Sequence, residues 1–311
     1  MNETPPQRFE PLPKTTLKLA TPYPLAALVG LLTDDAERRR AALLAGRQTG
    51  PITNLPKLDK LIGGRLETGL HILHGSPGVG KSALALGMAA ECGVPALFVS
   101  AELGAVEVLR RLIARTTSKY LGRLKSGELT GEAVKELAER TARALPLLSI
   151  MDATTGSAPT EHMAAVLSSM REAPGAEDAK GDGGLIVVDS AHTWAARVWP
   201  DQEEYTRLGL ALDELELLAK SLDIPVLLIA ERNRASMKTG GQSASAGSRR
   251  FEYAGESVIE LDTVSEKEGQ EDGEGWKTVL LTVSKNRHGS CGSVPLRWHG
   301  AMQKHTEKGE G

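Results

Sequence analysis

Eight residues, GSPGVGKS at positions 75–82, constrain the fold more than any other stretch of the chain. They fit the pattern G-x-x-x-x-G-K-[ST], and their context matters as much as the match. The aliphatic run LHILH (70–74) precedes them, and an amphipathic run with helical spacing covers 80–92. A strand that enters a glycine turn opening a helix aims backbone N–H groups at phosphate oxygens and adds the positive end of the helix dipole. Gly75, Gly78 and Gly80 permit the turn, and Ser76, Pro77, Val79 and Ala83 complete the cradle. Lys81 is placed to reach the β- and γ-phosphates of ATP, and the Ser82 hydroxyl to hold its Mg2+. The bland alternative is a glycine turn followed by a chance lysine; the flanking strand and helix weigh against it.

The same alternation continues along the chain. Short apolar runs at 96–100, 146–150, 185–189 and 225–230 alternate with helical patterns at 104–116, 130–143, 160–173 and 202–222. Strands that are apolar throughout are buried on both faces, so the expected fold is α/β, with a mostly parallel sheet flanked by helices. Runs at 257–261, 277–284 and 293–298 follow one another without helices, which predicts antiparallel strands at the end. The expected core spans 50–305, followed by a disordered tail at 306–311. Before it come a Pro-rich flexible arm at 1–22 and a helical segment at 23–49, with apolar Leu25, Leu28, Val29 and Leu32 on one face. The stretches 173–184 and 262–275 read as solvent loops, the second with six acids and one lysine.

Net charge is −3, so no global basic field draws in a polyanion and any anion site must be local. Cys92 and Cys291 are too few for a disulfide framework and lack zinc-site spacing. The polar N-terminus does not read as a secretory leader, and no uncharged apolar run is long enough to span a membrane. These features predict a cytoplasmic protein.

Hydrolysis needs more than a phosphate cradle: a second acid for the metal and a base for water. LIVVD places Asp189 at the carboxyl end of a buried strand, where ligands bind in open parallel sheets. Glu102, in FVSAELG, follows the strand 96–100 on the same rim and could activate water. On spacing alone it reads equally well as an acid near the start of the next helix.

Together these residues resemble the ATPase domain of hexameric replicative helicases of the DnaB type, within the RecA-like superfamily, with RadA-type proteins as near relatives. The shared features run in order. They are the lead-in NLPKLDKLIGG (54–64), the phosphate loop, SAELG before VLRRLIA, GGLIVVDSAHTW (183–194), the helix and strand ending in IAERNR, and SKNRHG (284–289) in a final hairpin. The resemblance covers roughly 50–305 and implies a RecA-like core. It makes Glu102 the catalytic carboxylate. It makes Lys285 and Arg287 a lysine and arginine finger reaching a neighbouring subunit's nucleotide. It implies a homo-oligomer, expected as a hexameric ring, and an N-terminal segment that serves as a subunit-docking arm. At the γ-phosphate sensor this chain has Ala230-Glu231 where Ser-Gln is usual, so Glu231 needs a cation nearby or serves to orient water. The family's separate N-terminal helical domain is not expected in the roughly 50 residues ahead of the core.

In such rings two loops face the channel. The first, at 190–205, offers His192, Trp194, Arg197 and Trp199; exposed aromatics beside a cation suit base stacking, and burial under the loop is an equal alternative. The second, at 232–250, carries Arg232, Arg234, Lys238, Arg249 and Arg250 with no acid, between glycines and small polar residues. The expected activity is therefore ATP hydrolysis coupled to binding single-stranded DNA, and to translocation or unwinding in replication. A recombination or repair mediator or loader stays open, working with replication or recombination proteins. So does a regulatory ATPase acting on a protein partner.

Overall fold

Every residue of β1 (Gly69–Gly75) is buried, as are all five of β2 (Ala96–Ser100) and of β4 (Leu185–Asp189). Strands sealed on both faces need helices on both sides, and the chain supplies them. The computed structural model describes residues 22–173, 176, 179–181, 183–231, 250–264 and 272–308. Among these, the remaining strands are β3 (Leu148–Asp152), β5 (Pro225–Glu231), β6 (Ser257–Thr263), β7 (Trp276–Asn286), β8 (Gly292–His299) and β9 (Lys304–Glu307). They form one nine-stranded sheet in the order β3-β2-β4-β5-β1-β6-β7-β8-β9. β3 through β6 in that row are parallel, and β7, β8 and β9 add antiparallel strands.

The helices are α1 (Leu25–Leu44), α2 (Pro56–Ile62), α3 (Lys81–Glu91), α4 (Ala105–Thr117), α5 (Gly131–Ala144), α6 (Thr160–Glu172), α7 (Ala191–Val198) and α8 (Glu204–Leu222). One core face joins α2, α3 and α4 to the sheet through Leu58, Ile62, Met88, Phe98 and Leu112. The other joins α6, α7 and α8 through Met163, Leu167, Trp194 and Leu215. Local signals agree with these ends: the Thr130 hydroxyl accepts from the Ala133 N–H to cap α5.

Three expectations are corrected. The stretch 190–205 is not an open loop, because it begins with α7, whose Ala191, Trp194 and Ala195 are buried. The tail expected from 306 begins inside β9, whose Glu307 is buried with Oε1 accepting the N–H groups of Lys57 and Leu58 at the start of α2; residues 309–311 lie outside the described residues. β3 sits two residues later than its apolar run, because its positions are only half-buried at the sheet edge. The Pro-rich arm lies outside the described residues apart from Pro22. Of α1 only Ala42 is buried; Arg39 pairs with Glu67, and Leu25, Val29, Leu32, Leu43 and Leu44 are exposed. Among the described residues no helix is long and apolar enough to cross a membrane.

Candidate nucleotide site

The phosphate loop joins β1 to α3 at the centre of the sheet, and the strand order places a crevice at its carboxyl edge. The turn needs glycine at two positions. A Cβ on Gly75 would meet the Leu261 carbonyl oxygen at 2.3 Å, and Gly80 has φ +98 with Trp298 and His305 against it. The pocket in front of this loop is lined by Pro77, Gly78, Gly80, Lys81, Ser82 and Ala83. Glu102, Asp189, Glu231, Arg111, Gln303 and Trp298 also face it. Val79 is buried beneath the loop, and the Ser76 hydroxyl reaches Asp262 at 3.3 Å. The sequence-derived loop, both carboxylates and Glu231 thus converge on one cavity.

Its electrostatics are those of a site built for an anion with a cation. Lys81 Nζ donates to the carbonyls of Gly75 and Ser76, at 2.9 and 3.1 Å. Burial holds the Lys81 ammonium below its usual range, against the pull of Glu231, Asp189 and Glu102. Asp189 is 1% exposed. Burial pushes its carboxyl up to about 6, opposed by a hydrogen bond with Ser82 and reinforced by the nearby Glu102 charge. Its Oδ2 is buried and receives no hydrogen bond among the described residues. A buried carboxylate oxygen without a partner, next to a serine hydroxyl, fits a hard divalent cation with oxygen ligands. β4 does not adjoin β1, since β5 lies between them; Asp189 and Ser82 meet across that gap.

Glu102 is exposed at the rim, and its Oε1 accepts from the hydroxyls of Ser190 and, at 3.4 Å, Thr193. Those bonds fix the carboxyl through one oxygen while the residue still lines the pocket, as a water-activating group requires. Sequence reasoning missed Arg111 and Gln303. Arg111 donates to Gln303 Oε1 at 2.9 Å, and its Nε lies 3.6 Å from Glu107 Oε1. The signal was legible: Val108, Arg111, Leu112 and Arg115 share one face of α4, so two arginines interrupt a core stripe.

The other residues singled out by sequence lie elsewhere. Trp194 is corrected: it is wholly buried in α7, donates from Nε1 to the Ala158 carbonyl at 2.8 Å, and presents no face to a base. Trp199 packs edge-on against it. Arg197 is half-buried, with Nη2 toward the Ala101 carbonyl at 3.5 Å. Arg250 pairs with Asp213 at 3.4 Å and lies over Gly209 of α8. Arg232, Arg234, Lys238 and Arg249 lie outside the described residues. Lys285 and Arg287 stand at the end of β7, beside the start of β6, so they flank the opposite edge of the sheet from the phosphate loop. Lys285 Nζ donates to the carbonyls of Glu252, Tyr253 and Gly255. Arg287 pairs with Glu256 at 2.9 Å.

The chain is similar to several known proteins. The replicative DNA helicase DnaB of Leifsonia xyli is 24% identical over 293 residues, 90% of this chain and 60% of that protein. That of Haemophilus influenzae is 23% identical over 273 residues, 82% of this chain and 55% of that protein. The chain thus spans little more than half the length of these relatives. Among solved structures, one described as an ATPase domain superposes with a TM-score of 0.71 at 17% identity, covering 90% of this chain and 98% of that one. A DnaB-like replicative helicase described with its primase interactions gives 0.69 at 17% identity, covering 90% and 67%. A KaiC-like protein from Pyrococcus horikoshii shares the fold more distantly, at 0.51 and 18% identity, covering 84% and 98%. The model of the DnaB-like helicase C terminal domain matches residues 50–307, and the chain belongs to that family.

Proposed function

We propose that this chain is the motor of a ring-shaped, ATP-hydrolysing helicase that binds single-stranded DNA and moves along it during replication. The observation that carries the reading is a division of labour across the sheet. Lys81, Ser82, Glu102, Asp189 and Arg111 gather at one edge, while Arg287 stands at the other, past a seven-residue strand. Seven residues of strand span about 20 Å, beyond the reach of any side chain. Arg287 cannot serve its own pocket; a head-to-tail ring brings it to a neighbour's.

In this reading the loop N–H groups and Lys81 bind and orient the phosphates, and Lys81 leaves the two carbonyls it now contacts. Ser82 and Asp189 would hold Mg2+, which when bound neutralises phosphate charge. Glu102, held by Ser190 and Thr193, takes the proton of the attacking water. Arg111 adds positive charge from the same subunit, and Arg287 supplies it from the next. Lys285, with three carbonyls around its ammonium, serves as a clamp on its own chain, so the finger role falls to Arg287 alone. Glu231 lies within the field of Lys81, which supplies the cation that a carboxylate at the sensor position requires. The exposed apolar side of α1 docks on an adjoining subunit.

The test is ATP turnover by the wild-type chain with and without single-stranded DNA, alongside oligomer mass. DNA stimulation in a ring-sized oligomer supports the motor; an enzyme indifferent to DNA leaves the reading without its substrate. A second reading, a regulatory ATPase acting on a protein partner, is favoured by the burial of Trp194, which removes an expected base-stacking platform. Protein-stimulated, DNA-independent turnover would select it. A mediator or loader shares the site and differs in failing to separate strands.

A further inference from the structure

The end of β7 is held by more hydrogen bonds than an exposed turn needs. Glu256, just ahead of β6, lies at the centre of them. Its N–H donates to the Leu70 carbonyl at 2.6 Å, and its own carbonyl accepts the Arg287 N–H at 3.0 Å. Its Oε1 accepts from Arg287 Nη1 at 2.9 Å, and its Oε2 meets His288 Nε2 at 3.1 Å. The Glu256 stem lies where a Cβ on Gly69 would sit, 2.4 Å from its Cγ, so β1 itself seats this side chain. Lys285 fixes the residues immediately before it, through the carbonyls of Glu252, Tyr253 and Gly255. The last turn of α2 holds the other side: the Leu61 carbonyl accepts from the Ser290 N–H at 2.9 Å and from Asn286 Nδ2 at 3.3 Å.

The consequence for Arg287 is geometric. Its side chain is 53% exposed, while that of Glu256 is 16% exposed. Glu256 engages one edge of the guanidinium through Nη1; Nε and Nη2 make no hydrogen bond among the described residues. A planar fork held by one edge presents the other in a fixed direction. As a surface ion pair alone the contact adds little stability. As an orienting contact it removes rotamer freedom from a group that must meet a phosphate from outside its own subunit.

We propose that Glu256 is a positioning residue for a finger that acts in trans: it seats Arg287 on its own subunit and aims the free edge of the guanidinium at a neighbour's nucleotide. This rests on the trans role proposed above for Arg287. Glu256 touches neither nucleotide nor water.

The test compares Glu256→Ala with Glu256→Gln in the full chain, with turnover normalised to titrated nucleotide sites so that unfolded material is not counted. Removing the carboxyl lowers kcat about tenfold to a hundredfold, the scale of a misaimed catalytic group. KM for ATP, nucleotide affinity and oligomer mass stay at wild-type values. Glu256→Gln keeps near-wild-type turnover, because its amide oxygen still accepts from Arg287 and its N–H still meets His288. Mixing Glu256→Ala with Lys81→Ala restores activity, since the second variant contributes an intact finger. Should the alanine chain fail to bind nucleotide, Glu256→Ser replaces it under the same criteria. Wild-type kcat in Glu256→Ala overturns the assignment, and so does a loss that mixing fails to recover while Arg287→Ala mixed with Lys81→Ala does recover. If that last pair also fails, the trans role of Arg287 falls and the proposal with it.

Discussion

The two edges of the central sheet are prepared in opposite ways. At the carboxyl edge of the parallel strands, Asp189 and Lys81 are buried charges, and Asp189 is incompletely satisfied. Asp189 Oδ2 makes no hydrogen bond among the described residues, and burial works against both Asp189 and Lys81. At the other edge Arg287, His288 and Glu256 are paired, with Arg287 53% and His288 36% exposed. Unsatisfied buried groups store a cost that a ligand relieves, so the first edge is built to be completed from solution. Paired groups on a surface carry no such cost; in the proposed ring the second edge completes a neighbour's site. In the proposed ring one edge receives and the other gives, as identical heterologous contacts require of each subunit.

The largest expected effect erases the receiving edge. Lys81→Ala removes a cation that contacts the phosphate loop directly, and turnover falls by about a thousandfold or more; steady-state phosphate release is the readout. Turnover within tenfold of wild type would place the chemistry elsewhere.

A smaller effect sharpens the contrast through pH. Folded Asp189 titrates near pH 6 against an ordinary value of 3.8, so the folded chain holds its proton longer than the unfolded chain does. The ionised form therefore lowers stability as pH rises from about 4 through 6, and a bound cation reverses that loss. Mg2+ with ATP should raise the thermal midpoint more at pH 7.5 than at pH 5.5, and ATP affinity in Mg2+ should weaken below pH 6. A Mg2+ effect independent of pH across that range would remove Asp189 from the metal's ligands.

The smallest effect is structural. His305, in β9, is stacked on Trp298 at 4.2 Å under the phosphate loop, with both ring nitrogens buried and without hydrogen bonds among the described residues. Burial pushes its pKa down to about 3. The unfolded chain protonates this ring near pH 6.5, so its contribution to stability is full above that value and drains away as pH falls toward 3. His305→Phe should stabilise the chain by about 1 kcal/mol at pH 7, by removing an unsatisfied buried N–H, and should flatten the acid limb of the stability profile. Urea denaturation at pH 7 and pH 5 measures both; a destabilised variant would mean the imidazole has a partner.

The receiving edge was legible in the sequence because its parts are local. GSPGVGKS between a strand and a helix, LIVVD and FVSAELG each place a functional group within a few residues of a strand end. Short, wholly apolar runs likewise predicted the parallel strands, whose burial is the cause of the pattern. What failed depended on distant packing. Trp194 belongs to a helix because Ala158 and the core of α6 and α8 receive it, and nothing near 194 in the chain records that. β9 was missed because His305 and Glu307 are polar residues buried by contacts with 80 and 57–58. Glu256 was invisible for the same reason: its partners at 287 and 288 are some 30 residues away.

The central claim is that each active site is shared between a receiving edge and a neighbour's giving edge. Mixing Lys81→Ala with Arg287→Ala tests it most directly. Each variant alone is inactive, one for want of a cradle and one for want of a finger. Mixed in equal amounts, roughly a quarter of the contacts join an intact pocket to an intact finger, and ATP turnover should reappear well above either parent. Mixed oligomers that form but remain as inactive as their parents would contradict the account.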